Sequence, residues 1–231
     1  MFSLQWFAIY SAIALCVTFL EHIFHHFGYR NRFIIAFKQL FEVPYTLVHE
    51  FSHAIVALIT SGKIKRITLH HNLSGSVVSS SSNRIGRFFT TFAGYTLPCY
   101  IAFLFIWLLH INPVFPLYGY LVIAIFSAIF IRNVYGFFWI IGFISLVGVI
   151  TWKAPLAITW HLSYFLVTLL FVAALYGGYR IFLLAFQQPQ IQHDASILAM
   201  QTRIPAQVWG IVFFLHNILV GGCILYYFLL T

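Results

Sequence analysis

Long apolar runs separated by short polar segments are the feature that most limits what this chain can fold into. Of its 231 residues, 62% are hydrophobic and only 7% are charged. Soluble domains average about 25% charged residues, so a water-soluble fold is excluded. Several of the runs approach 20 residues, the length of a helix that crosses a bilayer. The sequence therefore predicts an all-α polytopic membrane protein, folded as a single domain over residues 1–231.

The order of the apolar runs predicts a bundle of six or seven transmembrane helices. A first span covers about 2–27. A second helix is predicted to begin at Pro44, because proline is tolerated in the first helical turn, and to end near Thr60. Three later runs predict further spans, at about 85–110, 160–186 and 206–230.

Two segments are not simple single spans. Residues 63–82 alternate loosely between apolar and polar side chains around an Asn-Leu-Ser-Gly turn, which predicts a short β-hairpin at the membrane surface. Residues 117–150 are apolar except for Arg132 and Asn133 at their middle. This interruption favours two short spans that meet there, with one long broken helix as the alternative.

The charge distribution indicates a membrane topology and not a nucleic-acid surface. The chain has 12 Lys and Arg against four Asp and Glu, a net charge of +8. The basic residues are scattered at span ends, as expected for loops that stay in the cytoplasm. With seven spans and a cytoplasmic amino terminus, eight basic residues fall inside and four outside. This bias modestly supports a site that opens toward the cytoplasm.

The pentapeptide His-Glu-Phe-Ser-His at 49–53 lies within an apolar stretch that is predicted to be helical. Residues four apart project from one helical face, so His49 and His53 can reach the same metal ion. Glu50 lies beside them and can accept a proton from a water on that metal. Ionisable groups are costly inside a membrane and usually mark function there. The motif predicts a zinc-dependent hydrolase.

A catalytic zinc ion needs a third protein ligand and an open position. Asp194 is the only Asp in the chain and is our candidate for that ligand. The alternative is that Asp194 caps a short helix over 195–203, since Asp is favoured at that position. Glu21 and His25 also have helical spacing and form a second possible ligand set, although a solvated interface is the simpler interpretation of that pair.

Asn133 is a further candidate, for catalysis and not for metal binding. A side-chain amide can donate a hydrogen bond to the carbonyl of a scissile peptide. The simpler alternative is that Asn133 belongs to a turn between two spans.

In the mechanism that these residues predict, Glu50 is the general base and the substrate helix is unwound before attack. An unpaired edge of the hairpin could take up the unwound segment as an added strand.

Five segments together resemble the site-2 protease family of intramembrane zinc metallopeptidases. They are VHEFSHAIVALITSGKI (48–64), LSGSVVSSS (73–81), FAGYTLP (92–98), RNVYGF (132–137) and HDASILAMQTRIPAQVW (193–209). More narrowly, the chain resembles the small bacterial branch without a PDZ domain, which implies a bacterial plasma membrane. The resemblance implies Zn²⁺ as cofactor, His49 and His53 as ligands, Glu50 as catalytic base and a distant carboxylate as third ligand. The better-known branch has an Asp-Gly motif, which this sequence lacks.

The function predicted on these grounds is hydrolysis of peptide bonds in membrane-embedded or membrane-proximal substrates. The first alternative is an inactive protein of the same fold that acts as a membrane chaperone or scaffold. The intact HExxH motif argues against it. A second alternative, a small transporter or metal carrier, is disfavoured because the sequence shows no internal repeat.

Overall fold

The computed structural model of the chain describes residues 2–26, 32–70, 74–81 and 83–230. The side chains of 19–41 and of 229–230 are not part of that description. The possible second ligand set, Glu21 and His25, therefore lies outside the described side chains.

The described residues form a mostly helical protein with one small antiparallel sheet. In chain order the elements are α1 (Leu4–His26), α2 (Arg32–Ile59), β1 (Lys63–Leu69), β2 (Gly75–Ser80), α3 (Arg84–Ile111), α4 (Phe115–Phe130), α5 (Val134–Lys153), α6 (Leu156–Gln187), α7 (Asp194–Thr202) and α8 (Ala206–Leu230). The predicted hairpin is confirmed. The predicted break at Arg132 and Asn133 is confirmed too, since α4 and α5 meet there as two separate helices.

Four helices in the described part of the chain are long and apolar enough to cross a membrane. They are Arg84–Ile111, Val134–Lys153, Leu156–Gln187 and Ala206–Phe228. Two further helical segments, Leu4–Thr18 and Phe115–Phe130, are apolar but shorter. The helical membrane fold is thus supported, whereas the predicted count of six or seven spans is not confirmed.

The predicted start of the second helix is wrong. Helix α2 begins at Arg32, and Pro44 lies inside it. Proline lacks one backbone N–H and therefore removes one helical hydrogen bond, but the rest of the helix can continue past it when packing favours this. Pro44 itself is buried, as are Val43, Leu47 and Val48 around it. The packing of these buried side chains outweighs the local preference of proline for the start of a helix, so α2 continues through Pro44.

The hairpin packs onto the helices through one face of β1. Its two strands are antiparallel, with Leu69 opposite Gly75 and Lys63 opposite Ser80. Ile67 and Leu69 are fully buried, whereas the charged residues of β1 are exposed. A period-2 alternation of this kind is expected for a strand with one face on a core.

The second edge of β1 is covered by the segment that joins α4 to α5. The backbone N–H of Arg132 donates to the carbonyl of Ile67 at 3.1 Å. The Asn133 amide donates to the carbonyl of Leu69 at 2.6 Å and accepts from the N–H of Leu69 at 3.1 Å. Both edges of β1 are therefore occupied. In the described residues the sheet ends at β2, which keeps an open outer edge.

A small apolar cluster seats α7 against the main bundle. Its buried members all lie on α6, α7 and α8: Ile181, Ala185, Ala195, Leu198, Ala206, Trp209 and Phe213. Phe88, Phe92 and Tyr95 of α3 pack against the same cluster. This packing brings the polar segment after α6 into the bundle, where the chain would otherwise form a surface loop.

We predict that Asn133→Ala destabilises the protein by about 1–3 kcal/mol, because it leaves the N–H and the carbonyl of Leu69 without partners. Thermal unfolding of the purified protein in detergent measures this. Asn112→Ala is the control, since that side chain accepts a single hydrogen bond, from Val114 N–H. A smaller loss is expected for the control. Equal stability of wild type and Asn133→Ala would contradict the prediction.

Candidate metal centre

Helix α2 places the histidines of the HExxH motif side by side. His49 and His53 are one helical turn apart, and their Nε2 atoms lie 3.1 Å from each other. Helix α7 adds the carboxylate of Asp194 from the far end of the chain. Its Oδ2 lies 3.5 Å from Nε2 of His49 and 3.3 Å from Nε2 of His53. The structure thus brings together the three predicted ligands.

The spacing of these three atoms fits a single metal ion. Zinc binds histidine nitrogen and carboxylate oxygen at about 2.0–2.2 Å in tetrahedral sites, which puts neighbouring ligand atoms roughly 3.3 Å apart. The separations of 3.1–3.5 Å bracket that value. Two imidazoles and one carboxylate also leave a fourth position open, as in catalytic sites. His49, His53 and Asp194 therefore form a group that could hold a metal ion.

The cap of α7 is His193, not Asp194. The Nδ1 atom of His193 accepts from the backbone N–H of Ser196 at 3.2 Å, and Ser196 Oγ accepts from the N–H of His193 at 2.9 Å. Asp194 is the first residue of the helix and its carboxylate faces the two imidazoles. The alternative in which Asp194 caps the helix is therefore wrong.

The local electrostatics favour the ionised form of Asp194. Burial on its own would raise the pKa of this carboxyl, but the imidazoles of His53 and His49 more than offset that effect. They hold the pKa of Asp194 well below its usual range. The carboxylate is the form that binds metal, so the group is ready to act as a ligand at neutral pH.

A backbone carbonyl fixes the orientation of His53. Its Nδ1–H donates to the carbonyl of Thr90 on α3 at 2.6 Å. This bond places a proton on Nδ1 and makes Nε2 the ring atom available to a metal ion, which binds there in exchange for any proton that Nε2 carries. The ring of His49 is held differently, by edge-to-face packing on Tyr95 with 4.7 Å between ring centroids.

Gly94 of α3 makes room for both imidazoles. A Cβ atom at this position would lie 2.9 Å from Cε1 of His49 and would overlap the ring of His53. Real Cβ contacts are essentially never that short. The missing side chain at Gly94 thus leaves space for the two imidazoles of the candidate metal centre.

Gly75, at the start of β2, has the same relation to Glu50. A Cβ there would lie 2.7 Å from the carboxyl carbon of Glu50, which is itself only 4% exposed. The carboxylate of Glu50 is thus packed between the helix that bears the two histidines and the backbone of the hairpin. It lines the same cavity as the three candidate ligands.

That cavity has a volume of about 710 Å³ and lies between α1, α2, β2, α3, α6 and α7. Asn133 does not line it, and its amide is bonded to Leu69 at the opposite edge of the sheet. The catalytic role predicted for Asn133 stays a prediction, and its observed contacts are structural.

Several residues that line the cavity were not predicted from the sequence, among them Tyr45, Tyr95, Arg180 and His193. Tyr45 precedes His49 by four residues, so the helical period could have identified it.

We predict that Gly94→Ala greatly reduces the metal content of the purified protein, because the added methyl group displaces the ring of His53. Elemental analysis after dialysis against a weak chelator measures this. Gly142→Ala is the matched control, since a Cβ there meets no atom within 4 Å. The control should keep the wild-type metal content. Full metal content in Gly94→Ala would contradict the geometry described here.

Comparison with known proteins agrees with this site. The family model described as Peptidase M50B-like matches residues 11–224, a stretch that contains the HExxH motif and Asp194. No curated protein and no solved structure matches the chain. The predicted resemblance is confirmed by the family match. The chain belongs to the Peptidase M50B-like family, which is the site-2 protease family.

Proposed function

We propose that this protein is a zinc-dependent endopeptidase that cuts peptide bonds within or next to the membrane. The observation that carries the proposal is the close grouping of His49, His53 and Asp194, with donor atoms 3.1–3.5 Å apart, beside the buried Glu50. This combination has the ligands and the base that a metallopeptidase requires. Membership of a metallopeptidase family supports the same reaction class.

His49, His53 and Asp194 would hold the zinc ion, which when bound acts as a Lewis acid toward the substrate carbonyl and lowers the pKa of water toward about 7. Glu50 is the general base. It takes one proton from the attacking water, whose oxygen adds to the carbonyl carbon, and returns that proton to the amine nitrogen as the C–N bond breaks. Glu50 ends the cycle ionised, as it began.

The outer edge of β2 is the proposed docking site for the substrate, a membrane protein or peptide. A transmembrane helix hides its peptide bonds in its own hydrogen bonds, so it has to unwind before hydrolysis. An unwound segment regains those hydrogen bonds by pairing with an open strand edge. Residues 74–79 line the cavity along that edge, whereas β1 is already covered by Arg132 and Asn133.

The backbone pattern identifies the groups on β2 that are open to a substrate. The N–H of His70 donates to the carbonyl of Ser74, so these two residues form a hydrogen-bonded pair. Such pairs alternate along an antiparallel ladder, which turns the backbone groups of Gly75 and Val77 away from β1. On β1, the same rule turns the backbone groups of Ile67 and Leu69 away from β2, and both residues are hydrogen-bonded there to the α4–α5 segment.

We further propose that the two shorter apolar helices also lie in the bilayer, which brings the total to six spans, or to seven with α2. The cavity would open toward the cytoplasm of a bacterium, with the protein in the plasma membrane. Support comes from the exposed basic residues at the hairpin end of the molecule, on β1 and in the first turn of α3: Lys63, Lys65, Arg66, Arg84 and Arg87. Positive charge of this kind is enriched on the cytoplasmic side.

Glu50→Gln is the direct test of the proposed reaction. The amide cannot accept the proton, so cleavage of a transmembrane peptide in liposomes is expected to fall about 10²–10⁴-fold. Zinc content should stay at the wild-type level, because the three ligands are untouched. If the variant cleaves at the wild-type rate, the proposed mechanism is wrong. If zinc-loaded wild type cleaves nothing in a screen of peptides trapped by Glu50→Gln, the scaffold alternative is favoured.

We predict that Val77→Pro lowers kcat/KM by about tenfold, because it removes an outward N–H of β2 worth about one hydrogen bond and because its ring hinders strand pairing. Val77→Ala is the matched control, since it shortens the same side chain and keeps the N–H. The control should stay within about twofold of wild type. Equal losses for the two variants would show that the side chain matters and would contradict docking along this edge.

A further inference from the structure

Tyr45 has a buried hydroxyl group that the mechanism above does not use. It precedes His49 by four residues and His53 by eight, so the three side chains form a stripe along one face of α2. Its hydroxyl is buried and has no hydrogen-bond partner among the described residues. Tyr45 also lines the cavity that contains Glu50 and the candidate metal ligands.

An unpartnered buried hydroxyl is uncommon in a folded protein. Nearly all buried polar groups are hydrogen-bonded, because an unpaired one loses its bonds to water without any replacement. Two other tyrosines of the bundle follow this rule. Tyr120 donates to the carbonyl of Leu166 at 2.8 Å, and the hydroxyl of Tyr164 accepts from the N–H of Ser3 at 2.6 Å. Tyr45 is the exception among these three tyrosines. Five Ser and Thr hydroxyls in the described part of the chain are also buried without a partner, but none of them lies on α2, the helix that carries His49 and His53. The place of the Tyr45 hydroxyl on that helix points to a partner that arrives with a ligand.

The fold makes a specific space for this hydroxyl. Gly177 of α6 is buried and faces Tyr45 across the α2–α6 boundary. A Cβ atom at Gly177 would overlap the Tyr45 hydroxyl and would lie 3.0 Å from the ring carbon that bears it. The absence of a side chain at Gly177 therefore leaves the room that the Tyr45 hydroxyl occupies.

The position of the phenol is suitable for contact with a substrate carbonyl. Its ring centroid lies 6.2 Å from that of His49, on the turn of α2 before the metal ligands. Tyr95 packs on the same imidazole, but its hydroxyl is not among the buried groups without a partner. Of the two tyrosines beside His49, only Tyr45 thus combines a place in the cavity with a buried hydroxyl that is free to donate.

We propose that Tyr45 is a catalytic residue whose O–H donates a hydrogen bond to the carbonyl oxygen of the scissile peptide. Negative charge develops on that oxygen during attack, and a prepositioned donor in a site shielded from water stabilises it strongly. Glu50 handles the proton of the water, so the two residues have separate tasks. This inference rests on the proposed peptidase function.

The test is Tyr45→Phe in the full chain, compared with wild type in liposomes. We expect kcat to fall about 100-fold, the usual effect of removing one such donor, with KM within about twofold. Zinc content should be unchanged, and so should peptide binding when the substitution is placed in a Glu50→Gln background. The unfolding temperature should not fall, because the hydroxyl has no protein partner to lose.

Tyr120→Phe is the matched structural control. It removes a tyrosine hydroxyl that is bonded within the fold, so it should lower the unfolding temperature and leave kcat near the wild-type value. Gly177→Ala gives a second, independent variant. Its methyl group displaces the Tyr45 hydroxyl, so kcat should fall in the wild-type background and change little further in Tyr45→Phe.

Three results would overturn the inference. The first is a kcat of Tyr45→Phe within about twofold of wild type. The second is a lower kcat accompanied by loss of zinc or by a lower unfolding temperature, which would give Tyr45 a structural role. The third is a zinc-loaded wild type that cleaves no peptide, which removes the proposed function and this inference with it. In the first two cases the proposed function still stands.

Discussion

The contact between the Asp194 carboxylate and the imidazoles of His49 and His53 is the interaction on which the rest of the site depends. A carboxylate is expensive to bury, and it stays ionised here because two basic groups face it. The contact joins two segments that are far apart in sequence. It requires α7 to enter the bundle, and the apolar cluster around Leu198 and Phe213 stabilises that position.

The backbone approaches the site closely at three glycines, and each one leaves space for a different functional group. Gly94 faces the two imidazoles, Gly75 faces the carboxylate of Glu50, and Gly177 faces the hydroxyl of Tyr45. Helix α3 therefore packs against the imidazoles, the hairpin against Glu50 and α6 against Tyr45. Side chains enclosed on several sides lose little further freedom when a ligand binds.

Sequence alone predicted the elements with strong local patterns. The i, i+4 spacing of His49 and His53 placed both on one face, and the alternation around residues 63–82 predicted the hairpin. Other features depend on distant packing and could not be predicted. Helix α2 continues through Pro44 because the side chains around that residue are buried. Asn133 pairs with Leu69, a contact between segments more than sixty residues apart. The space at Gly177 exists only when α2 and α6 are packed together.

The central claim, a metal ion held by two imidazoles and Asp194, is tested most directly by zinc K-edge X-ray absorption on the full-length protein in detergent. The account predicts a four-coordinate ion with only nitrogen and oxygen ligands at about 2.0 Å and the outer-shell scattering of two histidine rings. Asp194→Ala should lower the zinc occupancy. A folded protein that binds no zinc, or one whose zinc lacks imidazole scattering, would contradict the account.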